Sequence, residues 1–398
     1  MRPETEALTQ VQELAGRHTA RTDLMSLVLL SLGHFFIDLY SGALGALQPL
    51  LVDVYKLSLT QAGMLGGLLV CSSSVLQPAY GYLSDRFRTR LFTVLAPATA
   101  GIFISCLGLA PDYVWLLIFV WFGGAGVASF HPQASSWAVR ILRKRQAGAM
   151  AVFISAGTLG MALGPIFFSQ LTGRWGVMEL HWAALPGIVM AVVLALMLPS
   201  LPGQSSPAKG GFDWRPLKAV WRSMTVLYFL VFIRSILQIT FAQLLPLYLH
   251  RERGFSVTEA NVVLSLYLTS GALGGFVGGY LADRFGERLV ILFSMIASVP
   301  FLTLFFLGHG AVAIAGLALG GFILLFTIPV NVVMAQRLAP AQAGTVSALM
   351  MGFAWGMAGL IFIPLVGWAS DIFSLGPVLA SLLAFPIGGF LLALKLPK

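Results

Sequence analysis

Long apolar stretches separated by short polar segments dominate the pattern of this chain. Residues 91–110, 181–199 and 289–308 are continuously apolar, without the apolar and polar alternation of a membrane β-barrel. A helix of about 20 such residues crosses the hydrocarbon core of a bilayer. Turn signals and charge clusters divide the chain into twelve predicted spans, at 24–53, 58–84, 91–110, 114–139, 147–172, 181–199, 221–249, 257–282, 289–308, 311–336, 344–369 and 375–395. The pattern therefore predicts an all-α membrane protein with twelve transmembrane helices in a lipid bilayer.

Composition and charge agree with a membrane protein. Of the 398 residues, 58% are hydrophobic and 10% are charged, whereas soluble domains average about 25% charged. The net charge of +9 does not indicate a nucleic-acid partner, because the spans interrupt the basic residues. With the N-terminus inside, all but five of the 24 Lys and Arg residues fall in cytoplasmic segments; the exceptions are Lys56, Arg174, Arg234, Arg251 and Arg253. The positive-inside rule then predicts that both termini are cytoplasmic.

The chain contains an internal repeat. The segment 81–87, GYLSDRF, recurs at 279–285 as GYLADRF, and residues 57–62 match 255–260 at the same offset. The Gly-, Pro- and Ser-rich segment 200–220 lies between the copies and is typical of a flexible linker. We therefore predict four parts, which are a cytoplasmic tail at 1–23, a six-helix bundle at 24–199, a cytoplasmic linker at 200–220 and a second six-helix bundle at 221–398. Such repeats, with a substrate site between them, are typical of alternating-access transporters.

The repeated segment resembles a motif of the major facilitator superfamily, Gly-x-Leu-x-Asp-Arg-x-Gly-x-Arg after the second helix. Arg88 replaces the second glycine in the first copy, and the copy from Gly279 to Arg288 is complete. The resemblance covers essentially the whole chain. It implies two pseudo-symmetric six-helix bundles in the bacterial inner membrane, with no cofactor and no enzymatic activity, and we expect a monomer.

A narrower resemblance is to the fosmidomycin-resistance branch, whose members resemble proton-driven drug exporters. The matching residues are His34, Asp38 and Tyr40, Ser72 to Ser74, Gln77 to Gly81, Phe130 to Pro132, and Arg234. This resemblance implies an antiporter that exports antibiotics. Because the same residue types would serve inward transport, a proton-coupled importer of a small organic anion stays open as an alternative. A receptor or scaffold would not need two similar halves.

Three ionisable residues are candidates for proton coupling. His34 and Asp38 are four residues apart and share one face of the first predicted helix. Ionisable groups at membrane depth are expensive and usually mark an ion or substrate path. His131 precedes Pro132, which tends to kink the fourth helix, and it could share the proton or bind substrate. The structural alternative is that these side chains only tie neighbouring helices together.

Arg234 is the most informative candidate for substrate binding, because a guanidinium stays charged at any working pH. It requires either an anionic substrate, whose oxygens could accept two parallel hydrogen bonds from the guanidinium group, or an ion pair with Asp38 across the two halves. A position near the helix start also allows Arg234 to reach the cytoplasm as a structural residue. The other candidates for the cavity wall are Tyr40, Gln77, Gln238, Gln243, Asn331 and Trp355.

The repeated motif is expected to act as a conformational latch rather than to bind substrate. By analogy with the superfamily, Asp85 would meet the N-terminus of helix 11 when the cytoplasmic side is closed, where the helix dipole favours an anion. The proposed latch residues are Asp85, Arg86, Arg90, Arg140, Asp283, Arg284, Arg288 and Arg337.

The fifth span holds Gly157, Gly160 and Gly164. The run from Gly160 to Pro165 resembles a proton-antiporter motif, although Phe168 and Ser169 stand where glycines would complete it. Close packing of small residues is the alternative explanation. No metal site and no catalytic nucleophile motif is present in the sequence.

Overall fold

A computed structural model describes residues 23–87, 89–141, 146–199, 218, 220–340 and 346–396. Twelve helices in this part of the chain are long and apolar enough to cross a membrane. They are α1 (Asp23–Tyr55), α2 (Leu59–Ser84), α3 (Leu91–Leu109), α4 (Tyr113–Ala138), α5 (Gly148–Trp175), α6 (Met178–Met197), α7 (Trp221–Arg253), α8 (Val257–Phe285), α9 (Glu287–Leu307), α10 (Gly310–Leu338), α11 (Leu349–Phe373) and α12 (Leu375–Ala393). The predicted spans are confirmed, with shifted ends. Most of the predicted tail and linker lies outside the described residues.

The internal repeat extends to the way helices begin. Ser58 accepts a hydrogen bond from the backbone of Gln61, whose side chain bonds back to Ser58, and Ser256 and Glu259 form the same capping box. Each box satisfies backbone N–H groups that a helix start leaves free. The first turns of α2 and α8 are therefore built alike, one in each half.

The two halves, α1 to α6 and α7 to α12, meet along three helix pairs. These pairs are α1 with α7, α2 with α11, and α5 with α8. The helices α2 and α8 end at the same face of the molecule, which carries both motif copies and which we call the motif face. They begin at the other face, which we call the opposite face. Among described residues, the hydrogen bonds and ion pairs that join the halves lie toward the opposite face.

The strongest contact at the opposite face is a helix cap that crosses between halves. The carboxylate of Asp371, near the end of α11, accepts hydrogen bonds from the backbone N–H of Leu59 at 2.8 Å and of Thr60 at 2.8 Å. The Thr60 hydroxyl donates to the same carboxylate at 2.5 Å. Asp53 also lies 3.5 Å from Arg251 and 3.7 Å from His250. The structure is therefore sealed at this face.

Contacts across the α2–α11 pair decrease toward the motif face. A Cβ built on Gly367 would lie 2.4 Å from the carbonyl oxygen of Leu59, one on Gly359 would lie 2.8 Å from the side chain of Val70, and one on Gly356 would lie 3.1 Å from the side chain of Val75. One on Gly352 would meet nothing within 4 Å. Both helices contain a π-helical segment, Cys71–Val75 in α2 and Ala348–Ala354 at the start of α11. The two halves thus separate toward the motif face.

The outer surface is apolar, as contact with lipid requires. Large hydrophobic side chains are exposed along most of the helices, and several exposed tryptophans lie near span ends. These are Trp115, Trp175, Trp182, Trp221 and Trp368. Tryptophan is enriched where a membrane protein meets the headgroup region. The chain is a multi-pass membrane protein.

Candidate functional site

The structure brings the three predicted proton-coupling residues together. His34 Nε2 lies 3.3 Å from Oδ2 of Asp38, and His131 Nε2 lies 3.4 Å from Oδ1 of the same carboxylate. The three side chains place their ligand-type atoms within 4.8 Å of one another. His34 and Asp38 are buried, whereas the side chain of His131 is 24% exposed. We call these residues the His–Asp–His cluster.

Neighbouring backbone and aromatic groups hold both rings in place. His34 Nδ1 lies 2.8 Å from the carbonyl oxygen of Phe153, and His131 Nδ1 lies 2.9 Å from that of Val127. The Phe153 ring stacks on His34 with centroids 4.2 Å apart. The His34 and His131 rings themselves meet edge to face. The cluster is therefore fixed in orientation, with both Nε2 atoms directed at Asp38.

The glycines of α5 bring its backbone against α1. A Cβ on Gly157 would lie 2.5 Å from Nε2 of His34 and 2.6 Å from Oδ2 of Asp38. Gly160 packs on the carbonyl of Phe35, and a Cβ on Gly164 would lie 2.6 Å from the carbonyl of Leu39. These glycines therefore serve small-residue packing, and Gly157 also closes one side of the cluster.

Arg234 is buried in α7, and no residue in the described ranges forms an ion pair with it. Its Nη1 donates to the side-chain oxygen of Gln238, one turn later, and its Nε has no partner. Tyr267 of α8 is likewise buried, and its hydroxyl has no hydrogen-bond partner among the described residues. The ion pairs between described residues do not include Arg234, and Asp38 pairs with the two histidines instead. A pair between Arg234 and Asp38 is thus not formed in this conformation.

Tyr40, a predicted residue of the cavity wall, joins two helices of its own half. Its side chain is fully buried, its hydroxyl donates to the carbonyl of Ala183 at 2.7 Å, and it accepts from the N–H of Gly187 at 2.9 Å. Both partners belong to α6. Tyr40 therefore ties α1 to α6 in this conformation, and its role in substrate binding stays a prediction.

The remaining candidates for the cavity wall fall into two groups. Gln77 and Trp355 are half-buried, and Gln77 donates to the carbonyl of Ser73 at 2.9 Å. Gln243 and Asn331 are buried, and their side chains hold polar atoms without a partner in the described part of the chain. Because buried polar groups are normally hydrogen-bonded, these atoms are candidates for contact with a polar ligand.

The described latch residues contact their own half in this conformation. Arg90 donates to the carbonyls of Ala195 and Leu198 at the end of α6, and Arg288 donates to Leu394 at the end of α12. Arg337 pairs with Glu287. Arg86, Asp283 and Arg284 are exposed, and the side chains of Asp85 and Arg140 are outside the described residues. The latch role stays a prediction.

Two further residues join helices. Gln133, which follows Pro132 and is also a sequence candidate for the cavity wall, accepts from Thr93 at 2.5 Å and donates to Ser84 at 2.6 Å, which joins α2, α3 and α4. Asp371, which caps α2 from the other half, is not marked by a local sequence pattern, because its contact depends on a helix distant in sequence.

Comparison with known proteins identifies the family. The family model of the Major Facilitator Superfamily matches residues 30–363. The chain belongs to the Major Facilitator Superfamily. The uncharacterized MFS-type transporter YfnC of Bacillus subtilis (strain 168) is 30% identical over 382 residues, 94% of this chain and 92% of that protein.

Other similarities agree with membership in the superfamily. The fosmidomycin resistance protein of Escherichia coli (strain K12) is 28% identical over 348 residues, 86% of this chain and 85% of that protein. A bacterial homolog of the human lysosomal transporter Spinster, crystallised inward-facing and unoccupied, has a TM-score of 0.81 at 16% identity, covering 94% and 97% of the two chains. Superfamily membership makes this chain a secondary transporter and not an enzyme, as the sequence predicted.

Proposed function

We propose that this chain is a proton-coupled drug exporter of the fosmidomycin-resistance type, an antiporter that works by alternating access between its two halves. It would reside in the bacterial inner membrane with the motif face and both termini in the cytoplasm. The excess of Lys and Arg in the segments at that face supports the orientation. The similarity to the fosmidomycin resistance protein supports the direction of transport.

The observation that carries the proposal is the His–Asp–His cluster. Imidazole as a class of side chain is the usual proton carrier of proteins, and here two imidazoles share one buried carboxylate. Partial exposure of His131 gives protons a route to the buried pair. Ionisable groups of this kind inside a membrane are typical of proton relays.

The substrate would bind between the halves and contact Arg234. An uncompensated buried guanidinium is costly, and a ligand with carboxylate, phosphate or phosphonate oxygens would supply the missing negative charge. Gln77, Gln238, Gln243, Asn331 and Trp355 are the further side chains proposed for the wall of the site. Arg234 is also the specific observation that favours the second candidate, a proton-coupled importer of a small organic anion.

Flux in sealed vesicles tests the proposal. Purified protein in proteoliposomes is given an imposed pH gradient, with fosmidomycin and simple carboxylates as probes. Wild-type protein should move a probe against its concentration gradient, and Asp38→Asn should lose at least about tenfold of this uphill flux while retaining some downhill exchange. Asp112→Asn, on the surface, is the control. Unchanged gradient-driven flux in Asp38→Asn would exclude the proton assignment.

A further inference from the structure

The two oxygens of the Asp38 carboxylate face two different imidazole rings. His34 Nε2 approaches Oδ2 at 3.3 Å, and His131 Nε2 approaches Oδ1 at 3.4 Å. On the far side of each ring, Nδ1 lies within 2.9 Å of a backbone carbonyl oxygen. A carbonyl oxygen only accepts, so each Nδ1 must carry a hydrogen. In a neutral ring, Nε2 then carries no hydrogen and acts as an acceptor through its lone pair.

Each space between Nε2 and a carboxylate oxygen is therefore a site for one proton. When the space is empty, a ring lone pair faces an ionised oxygen, and two acceptors form no hydrogen bond. When it holds a proton, the same two atoms form a hydrogen bond, whichever of them carries the hydrogen. Both separations exceed the roughly 2.7–2.9 Å of a charge-assisted bond, so each contact can shorten when a proton enters.

One proton cannot fill both spaces. The two contacts use different oxygens of the carboxylate and different rings, so a single proton leaves one lone pair facing an acceptor. With no mobile proton the cluster has a charge of −1, because the rings are neutral and the carboxylate is ionised. One proton brings the charge to 0, and a second brings it to +1.

We propose that the His–Asp–His cluster is a two-proton site, with one exchangeable proton between Asp38 and each histidine. This rests on the proton coupling proposed above and adds the number of protons. A transport cycle that fills and empties the site moves two protons.

The surroundings contain no competing group in the described part of the chain. The ion pairs of Asp38 there are those with the two rings, and the side chains stacked on His34 are Phe130 and Phe153. On α5, Gly157 adds only backbone. Arg234 on α7 is a buried cation that forms no ion pair with the cluster.

Counting the protons directly tests this inference. Nitrogen NMR of protein labelled with ¹⁵N-histidine distinguishes a charged ring from either neutral tautomer, and the infrared carbonyl band of a protonated carboxyl reports Asp38. The count is made on wild-type protein in detergent between pH 5 and 9. His34→Gln, His131→Gln and Asp38→Asn serve to assign the signals, and His309→Gln at an exposed position is the matched control.

The expected result is a plateau of two protons at the acid end, as two charged rings or as one charged ring and a protonated carboxyl. The neutral rings at the alkaline end should carry their hydrogen on Nδ1. A plateau of one or three protons, or neutral rings protonated at Nε2, would overturn the two-proton site. Such a result with intact gradient-driven flux overturns this inference alone, whereas a plateau of two with flux insensitive to Asp38→Asn contradicts the proposed function.

Discussion

At the scale of single residues, the buried charge of Arg234 explains why this position matters. An isolated cation in a low-dielectric interior costs several kcal/mol unless it is paired. The described surroundings give Arg234 one hydrogen bond, to Gln238, and leave its Nε free. The residue therefore gains most from a ligand that brings negative oxygens.

Replacing Arg234 should separate charge from geometry. Arg234→Gln removes both, and because a hydrogen bond to a charged group contributes about 1.5–3 kcal/mol, we expect anionic probes to bind about 10- to 100-fold more weakly. Arg234→Lys keeps the positive charge but loses the two parallel hydrogen bonds of the guanidinium group, so it should weaken anion binding less than Arg234→Gln does. Binding is measured by calorimetry on purified protein. Wild-type affinity for every anionic probe in Arg234→Gln would contradict substrate contact.

Gly157 permits a test of the cluster without removing an ionisable group. In Gly157→Ala the new methyl would overlap His34 and Asp38, which should displace them and lower gradient-driven flux about tenfold or more. Gly148→Ala is the matched control on the same helix, because its Cβ would meet nothing within 4 Å. The ratio of the two fluxes in proteoliposomes is the measurement. Equal flux in both variants would show that α5 does not constrain the cluster.

The sequence predicted part of the site and missed the rest for identifiable reasons. The spacing of His34 and Asp38 is local, so one helix places both on one face. His131 was a candidate for sharing the proton, but its contact with the second carboxylate oxygen depends on how α4 packs on α1. The sequence gives no sign of the hydrogen bonds of Tyr40, because its hydroxyl group bonds to a helix more than 140 residues away along the chain.

At the scale of helices, α2 and α11 form the seal of the opposite face. Asp371 accepts the free N–H groups at the start of α2, where the helix dipole also favours a negative charge. The sequence predicts a matching contact at the motif face, with Asp85 near the end of α2 directed at the start of α11. Each of these two helices would then end in an acid that caps the other.

Removing the Asp371 carboxylate should weaken this seal. Loss of an N-cap costs about 0.5–2 kcal/mol, so Asp371→Ala should shift the balance between open and sealed opposite faces by about 2- to 30-fold. Distances between spin labels on the opposite-face ends of the two halves report the shift. Asp112→Ala is the matched control, because Asp112 caps α4 within one half. An equal shift in both variants would exclude a specific seal.

Helix starts were predictable and helix interruptions were not. The capping boxes at Ser58 and Ser256 are visible as local patterns and recur at the repeat offset. The π-helical segments Cys71–Val75 and Ala348–Ala354 contain residues that form ordinary helices elsewhere, and they pack mainly on α4 and α7, respectively, which are distant in sequence. For this reason the number of spans was right although the internal geometry of two of them was missed.

At the scale of the whole molecule, the sealed opposite face and the separation at the motif face describe one state of an alternating-access cycle. The other state requires that the contacts between α1 and α7 and between α2 and α11 at the opposite face break. The hydrogen bonds and ion pairs among these contacts are few, but α2 and α11 also pack closely where Gly63 meets Gly367, so opening requires that this packing separate as well.

A covalent link across this face should stop the cycle. Asp53 and Arg251 lie 3.5 Å apart at the ends of their side chains, so in the double variant Asp53→Cys with Arg251→Cys a short cross-linker that contains a disulfide should span the length of the lost arginine side chain and join α1 to α7. Cys71 and Cys106 are first replaced by serine. Cross-linking should abolish transport and reductant should restore it, while each single-cysteine variant stays active. Full transport by cross-linked protein would contradict the opening of this face.

The assembly of the His–Asp–His cluster within one half has a consequence for the direction of work. All three residues lie on α1 and α4, and α5 of the same half packs against them, so tilting of the two halves as rigid bodies would leave their mutual distances unchanged. The geometry of the cluster would therefore be the same whichever side of the membrane is open. Such a site does not by itself fix the direction of transport. In the proton-coupled cycle proposed above, the relative sizes of the proton and substrate gradients would set the direction of net flux, and reversing the gradients would reverse the cycle.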